Sequence, residues 1–136
     1  DSAGRTPRTA RVLDATARTL VATVDARYDA ERALVLPPGP DGRVDLGALL
    51  AALAERDVVS VLLEGGPTLA GAFVAAGLVD RVVGYVAPAL LGDGPAALAG
   101  TGVTTIAEAV RMRLDDVTRV GDDVRLTLRP RSDRRA

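Results

Sequence analysis

Residues Val58 to Ala76 read VVSVLLEGGPTLAGAFVAA, and the fold depends on how this run is divided. Val58 to Leu63 is too apolar for a strand with one face in water, so it predicts a central strand covered on both sides. Glu64 closes that run, Gly65-Gly66-Pro67 makes a turn, and Leu69, Ala72, Phe73 and Ala76 then recur at helical spacing. Pro67 suits the first helical position, where its missing N–H costs nothing, and Gly77 suits a left-handed cap at the far end. Ligands of open α/β sheets gather at the carboxyl edge of the strands, which is where Glu64 and the two glycines stand.

The flanking sequence alternates strand and helix. Thr19 to Val24 and Arg32 to Leu36 are β-branched and apolar and read as strands. Between them, Asp25 to Glu31 is a polar connection with room for a helical turn. Val44 to Arg56 reads as a helix, with Asp45 placed to cap it and Leu46, Leu49, Leu50 and Leu53 on one face. Asp80 to Pro88 reads as a further strand. Strand-helix-strand units in succession predict right-handed crossovers and a largely parallel sheet core. The end differs in kind: Met112 to Val120, Gly121-Asp122-Asp123 and Val124 to Arg129 form an antiparallel hairpin with a polar outer face. The fold class expected is therefore α/β, a mixed sheet parallel in the centre with a C-terminal antiparallel hairpin and helices on both faces. Residues 1 to 18 read as loop with a short extended piece at Ala10 to Leu13. Ala89 to Gly102 reads as a long loop with a helical turn at Pro95 to Leu98, and Thr105 to Val110 as a brief helix.

Composition narrows the chemistry. The chain has 136 residues, 48% hydrophobic and 26% charged, with a net charge of -1. That is the balance of one soluble domain, and no run approaches the ~18 apolar residues of a membrane span. No basic and apolar leader opens it, so a cytoplasmic location is expected. With no Cys and no His, a thiolate nucleophile, a Ser-His-Asp relay and a Cys/His zinc site are all excluded, and no metal is expected. Four of the arginines fall at Arg129, Arg131, Arg134 and Arg135. The last three read as a solvated tail over 131–136, and with two Tyr, one Phe and no Trp for base stacking neither nucleic acid nor membrane is an expected partner.

At the central turn two readings stand. Gly65 and Gly66 allow close backbone approach and leave N–H groups at the positive end of the following helix, which suits a bound anion such as phosphate. The same strand-Gly-Gly-helix junction also serves as a plain tight turn, since it is neither G-x-G-x-x-G nor a P-loop. Glu64 can hold a substrate amide or hydroxyl, or accept from neighbouring N–H groups and arginine. Phe73 and Tyr85 read as core aromatics. The pairs Asp115-Asp116 and Asp122-Asp123 read as solvated hairpin carboxylates.

Three phrases, LLEGGPTLAGAF at Leu62 to Phe73, GLVDRVVGYVAPALLGDG at Gly77 to Gly94 and VGDDVRLTLRP at Val120 to Pro130, together with the opening DSAGRTP, resemble the C-terminal reductase domain of the bifunctional riboflavin-biosynthesis deaminase/reductase. The resemblance implies a dihydrofolate-reductase-like fold, NADPH as hydride donor, and reduction of 5-amino-6-(5-phosphoribosylamino)uracil, a pyrimidine ribotide, to its ribitylamino product. It implies that Glu64 contacts substrate. It further implies that Gly65, Gly66, Pro67, Thr68, Leu69, Ala70, Gly71 and Ala72 line the cofactor's phosphates and that Ser2 lies on its adenosine side. A homodimer is expected. No catalytic proton donor is assigned, and Arg5, Arg8 and Arg11 are equal candidates for a cation that selects NADPH over NADH. Relative to that family the sequence reads as a partial reductase domain over 1–130 that lacks the domain's N-terminal part, so alone it is expected to be at best a poor enzyme. Two other readings are a dihydrofolate-like pteridine reductase on the same frame, and a non-catalytic dimerisation module pairing through the Val120 to Pro130 hairpin.

Overall fold

The computed structural model describes residues 1–29 and 31–131. The tail expected at 131–136 lies, past Arg131, outside the described residues. The chain divides into two compact units, one ending at Val61 and the other beginning at Leu62.

In the first unit, β1 (Val21–Thr23) pairs in parallel with β2 (Ala33–Val35), Val21 opposite Ala33 and Thr23 opposite Val35. Both strands lie within the ranges their β-branched composition predicted. The N–H groups of Val21 and Leu36 extend the ladder to the carbonyls of Arg32 and Thr23. Leu13, Val21, Leu34 and Leu36 are buried, and with them Thr23, which is wholly enclosed. Enclosing a hydroxyl costs free energy unless it is bonded. Thr23 Oγ1 meets that condition twice, donating to the Ser2 carbonyl at 3.1 Å and accepting from the Asp25 N–H at 3.1 Å. Ala10 to Leu13 is not extended: Arg11–Leu13 winds into a 3-10 turn, which turns Leu13 into the core.

α1 (Leu46–Ala54) begins as Asp45 predicts, its carboxylate accepting from the Ala48 N–H at 2.7 Å. Leu46, Leu49, Leu50 and Leu53 are half-buried. At the other end Asp57 takes a left-handed φ of 61°, while its N–H reaches the Ala54 carbonyl and the Val58 N–H reaches Leu53. This is the paired bond pattern that usually recruits glycine.

In the second unit, α2 (Pro67–Ala75) starts on Gly66 and ends in the same pattern, Gly77 at φ 68° with N–H bonds from Gly77 to Val74 and from Leu78 to Phe73. β3 (Val82–Val86), β4 (Met112–Val120) and β5 (Asp123–Pro130) form an antiparallel sheet in the order β3-β5-β4. The β4-β5 hairpin closes through Gly121-Asp122, with Val120 opposite Asp123. Gly121 alone of the two has a positive φ, 63°, the geometry of a two-residue hairpin turn with glycine first. The register shifts between Leu114 and Asp116. This one-residue bulge at Asp115 brings Leu114 and Val117, three apart in sequence, onto one face opposite Leu128 and Leu126. The other face carries Asp116, Thr118 and Arg125, joined by a Thr118 hydroxyl bond to Asp116 at 2.6 Å and an Arg125–Asp116 ion pair at 3.3 Å. Asp115 receives Arg113 Nε and Arg129 Nε, each at 2.8 Å. A 3-10 turn at Ile106–Glu108 replaces the brief helix expected there, capped reciprocally by Thr105 and Glu108.

Further expectations are corrected. Val58 to Leu63 forms no strand: its backbone pairs with no strand among the described residues, and Val59 and Leu62 are 98% and 83% exposed. Apolar composition favours a strand only when a neighbour takes up its N–H and C=O groups. β3 accordingly has an antiparallel partner, with no parallel crossover leading into it. Pro95 to Leu98 makes no helical turn. Tyr85 is exposed and stands opposite Arg125 in the sheet, whereas Phe73 is core as expected.

Two outcomes follow for stability. Asp45→Ala removes the α1 cap and is expected to cost about 1 kcal/mol, whereas Asp57→Gly relieves a left-handed residue and is expected to add about 0.5–1 kcal/mol. Urea unfolding midpoints measure both, and opposite signs are required. The Arg113 guanidinium, with Arg129 behind it, holds the Asp115 carboxyl below the usual aspartate range. A carboxyl whose pKa is lowered in the fold stabilises it above the unfolded value, about 4, and that contribution fades as pH falls through the lower folded value. The hairpin's circular-dichroism melting temperature is therefore expected to drop below about pH 4, and to drop less in Asp115→Asn.

Candidate functional site

The site is the first turn of α2. Gly66 precedes the helix in extended backbone, φ −68° and ψ 174°, and Pro67 has no N–H to offer. The first helical bond runs from the Ala70 N–H to the Gly66 carbonyl at 3.1 Å. Among the described residues, the N–H groups of Gly65, Gly66, Thr68 and Leu69 have no acceptor. Those of Gly66, Thr68 and Leu69 are the orphan donors of the helix start and carry the positive end of the helix dipole, and the Gly65 N–H lies one residue ahead of them. Gly65, Gly66, Pro67, Thr68 and Leu69 are all exposed.

The two glycines are not equivalent. A Cβ at Gly65 would meet the Leu69 side chain at 2.7 Å, whereas one at Gly66 meets nothing within 4 Å. The space in front of Gly66 is therefore open to a ligand, and its φ is one any residue adopts. Glu64, directly before the turn, is exposed and has no ion-pair partner among the described residues. Its carboxylate is available to a ligand hydroxyl or amide.

Farther along α2 the helix turns inward. Ala70 and Ala72 are half-buried, Gly71 and Phe73 buried, and the Cα of Gly71 faces the backbone of Ala99. Sequence reasoning missed Ala99. The available signal was a glycine in mid-helix, which marks a close approach of other backbone.

Ser2 stands in the first unit. Its hydroxyl accepts from the Val44 N–H at 3.0 Å, and its carbonyl accepts from Thr23 Oγ1 and the Val24 N–H. The hydroxyl keeps its own proton free to donate. The first unit also bears a shallow cleft of about 370 Å³ lined by Asp14, Arg18, Thr19, Glu31 and Arg32, none of which the sequence singled out.

This arrangement can hold an anionic group on a fan of backbone donors while a carboxylate faces a neutral polar partner beside it. Comparison with known proteins identifies the family. The family model of the RibD C-terminal domain matches residues 1–126. The riboflavin biosynthesis protein RibD of Mycobacterium tuberculosis is 50% identical over 80 residues, 59% of this chain and 23% of that protein. RibD of Escherichia coli is 39% identical over 95 residues, 69% of this chain and 26% of that protein. The 2,5-diamino-6-ribosylamino-4(3H)-pyrimidinone 5′-phosphate reductase of Methanothermobacter thermautotrophicus is 33% identical over 132 residues, 91% of this chain and 61% of that protein. Among solved structures, RibD of Acinetobacter baumannii superposes with a TM-score of 0.78 at 33% identity, over 96% of this chain and 36% of that one. The chain thus spans about a quarter of the curated RibD relatives it matches. Its mixed α/β architecture is that of their dihydrofolate-reductase-like fold, and the chain belongs to the family of the RibD C-terminal domain.

Proposed function

We propose that this chain carries the dinucleotide-phosphate site of an NADPH-dependent reductase of riboflavin biosynthesis. The observation that carries the reading is the open first turn of α2, four unpaired N–H groups in front of a Gly66 whose Cβ direction is empty, within a chain whose relatives include a pyrimidinone phosphate reductase. A dinucleotide pyrophosphate fits that turn, because it needs several donors and an unobstructed backbone at once.

In this reading Gly65, Gly66, Thr68 and Leu69 donate to the pyrophosphate, and Pro67, Ala70 and Ala72 shape the helix behind it. Glu64 accepts from the sugar hydroxyls or pyrimidine amide of 5-amino-6-(5-phosphoribosylamino)uracil and so orients the substrate. When bound, the nicotinamide would supply hydride to C1 of the sugar in its ring-opened imine form, with a proton from solvent reaching the imine nitrogen, so that ribosyl becomes ribityl. The protein's share is orientation and electrostatics. A homodimer in the cytoplasm completes the reading. Among the described residues no helix is long and apolar enough to cross a membrane.

The Methanothermobacter relative's name specifies a 2,5-diaminopyrimidinone, which favours a second substrate: the same ribotide before its deamination. Both substrates present the ribosyl group that is reduced, so the α2 turn serves either.

Cofactor fluorescence during NADPH titration tests the site. Gly66→Val is expected to abolish binding while the circular-dichroism spectrum stays unchanged, since the backbone tolerates the residue and its branch enters only the ligand's space. Equal affinity in that variant rules the turn out as the phosphate cradle. Glu64→Gln is expected to leave NADPH affinity unaltered but weaken pyrimidine ribotide binding about tenfold by calorimetry, about 1.4 kcal/mol.

A further inference from the structure

Gly71 occupies the middle of α2, where glycine costs about 1 kcal/mol relative to alanine. A Cβ built there would overlap the carbonyl oxygen of Ala99 and stand 2.8 Å from its carbonyl carbon. Ala99 also donates its N–H to the Pro67 carbonyl at 3.0 Å. Pro67 and Gly71 lie four residues apart on one face of the helix, so a single residue of the Ala89–Gly102 loop grips α2 at two adjacent turns. Among the described residues, that N–H bond is the one hydrogen bond tying residues 90–103 to the rest of their unit. Residues 92–100 are otherwise exposed, and Gly92 and Gly100 bound them with φ of 76° and 71°.

The grip lands on one particular peptide group. The carbonyl that receives Ala99 belongs to the Pro67–Thr68 peptide, and the other end of that peptide is the Thr68 N–H, one of the four unpaired donors. An anion on the N–H polarises the peptide and makes its carbonyl a better acceptor, as hydrogen bonds in chains strengthen one another. Coupling of this kind is reciprocal: whatever phosphate does for the Ala99 bond, the Ala99 bond does for phosphate.

We propose that residues 92–100 form a strap seated on α2, and that Gly71 is a positioning residue that serves the cofactor site by admitting Ala99 rather than by touching phosphate. The inference rests on the reading of the α2 turn as the pyrophosphate site. Gly71 is kept in the helix, against its propensity, because the strap's backbone fills the volume a methyl group would take.

Amide hydrogen exchange on the unmodified chain, with and without saturating NADPH, provides the test. NADPH is expected to slow exchange of the Ala99 amide about fivefold or more. Gly71→Ala is expected to keep its helical circular dichroism, since alanine favours the helix, yet to lose NADPH affinity about fivefold and to show fast Ala99 exchange indifferent to NADPH. A merely structural Gly71 predicts instead a lower melting temperature with the NADPH effect at Ala99 preserved, and that result overturns the proposal. NADPH that binds the unmodified chain without slowing Ala99 also overturns it and leaves the cofactor site standing. If NADPH does not bind at all, both readings fall. Should Gly71→Ala not fold, exchange in the unmodified chain decides alone.

Discussion

The second unit depends on β5 having a partner on each edge. β3 and β4 both pair with it, so its backbone donors and acceptors are met on both sides, and its side chains set the two faces that the neighbours must match. Leu126 and Leu128 stand among Gly84, Val82, Val117 and Leu114; Arg125 and Thr127 stand among Tyr85, Val83, Thr118 and Asp116. Pairing within a sheet is the unit of its stabilisation. The contrast with Val58 to Leu63 makes the point: that run is at least as apolar as β5, yet with no pairing partner among the described residues it stays without regular structure.

This contrast also marks what could be read from the sequence. Features set by neighbours a few residues away are legible: the Asp45 cap, Pro67 opening α2, Gly77 ending it, and a hairpin turning at Gly121-Asp122-Asp123, of which Asp123 already belongs to β5. Each is fixed by local hydrogen bonding or by φ. The family was legible too, because whole phrases recur in order. Features set by distant partners were not. Periodicity reports an apolar run but not whether another strand lies beside it, and so it predicts a strand at Val58 to Leu63 where none forms. Tyr85 looked like core because the register that sets it opposite Arg125 is absent from its own neighbourhood. Asp57 in a left-handed cap, where glycine is usual, gave no compositional sign.

At the candidate site the same division holds. The orphan donors at the α2 start follow from the sequence alone, since every helix leaves its first N–H groups unpaired. That Gly66 faces open space while Gly65 is crowded by Leu69 needs coordinates. The placement of Ala99 beside Gly71 needs them as well, because nothing in ALLGDGPAALAGTG marks one alanine among several.

The bulge at Asp115 has a consequence for how β4 is written. A strand's inside and outside alternate strictly by two, so β4 carries this code in two reading frames, one up to Leu114 and one from Asp116 onward, with Asp115 as the punctuation between them. A chain one residue shorter at that point would present the same two faces. A chain one residue shorter elsewhere in β4 would turn part of the strand inside out.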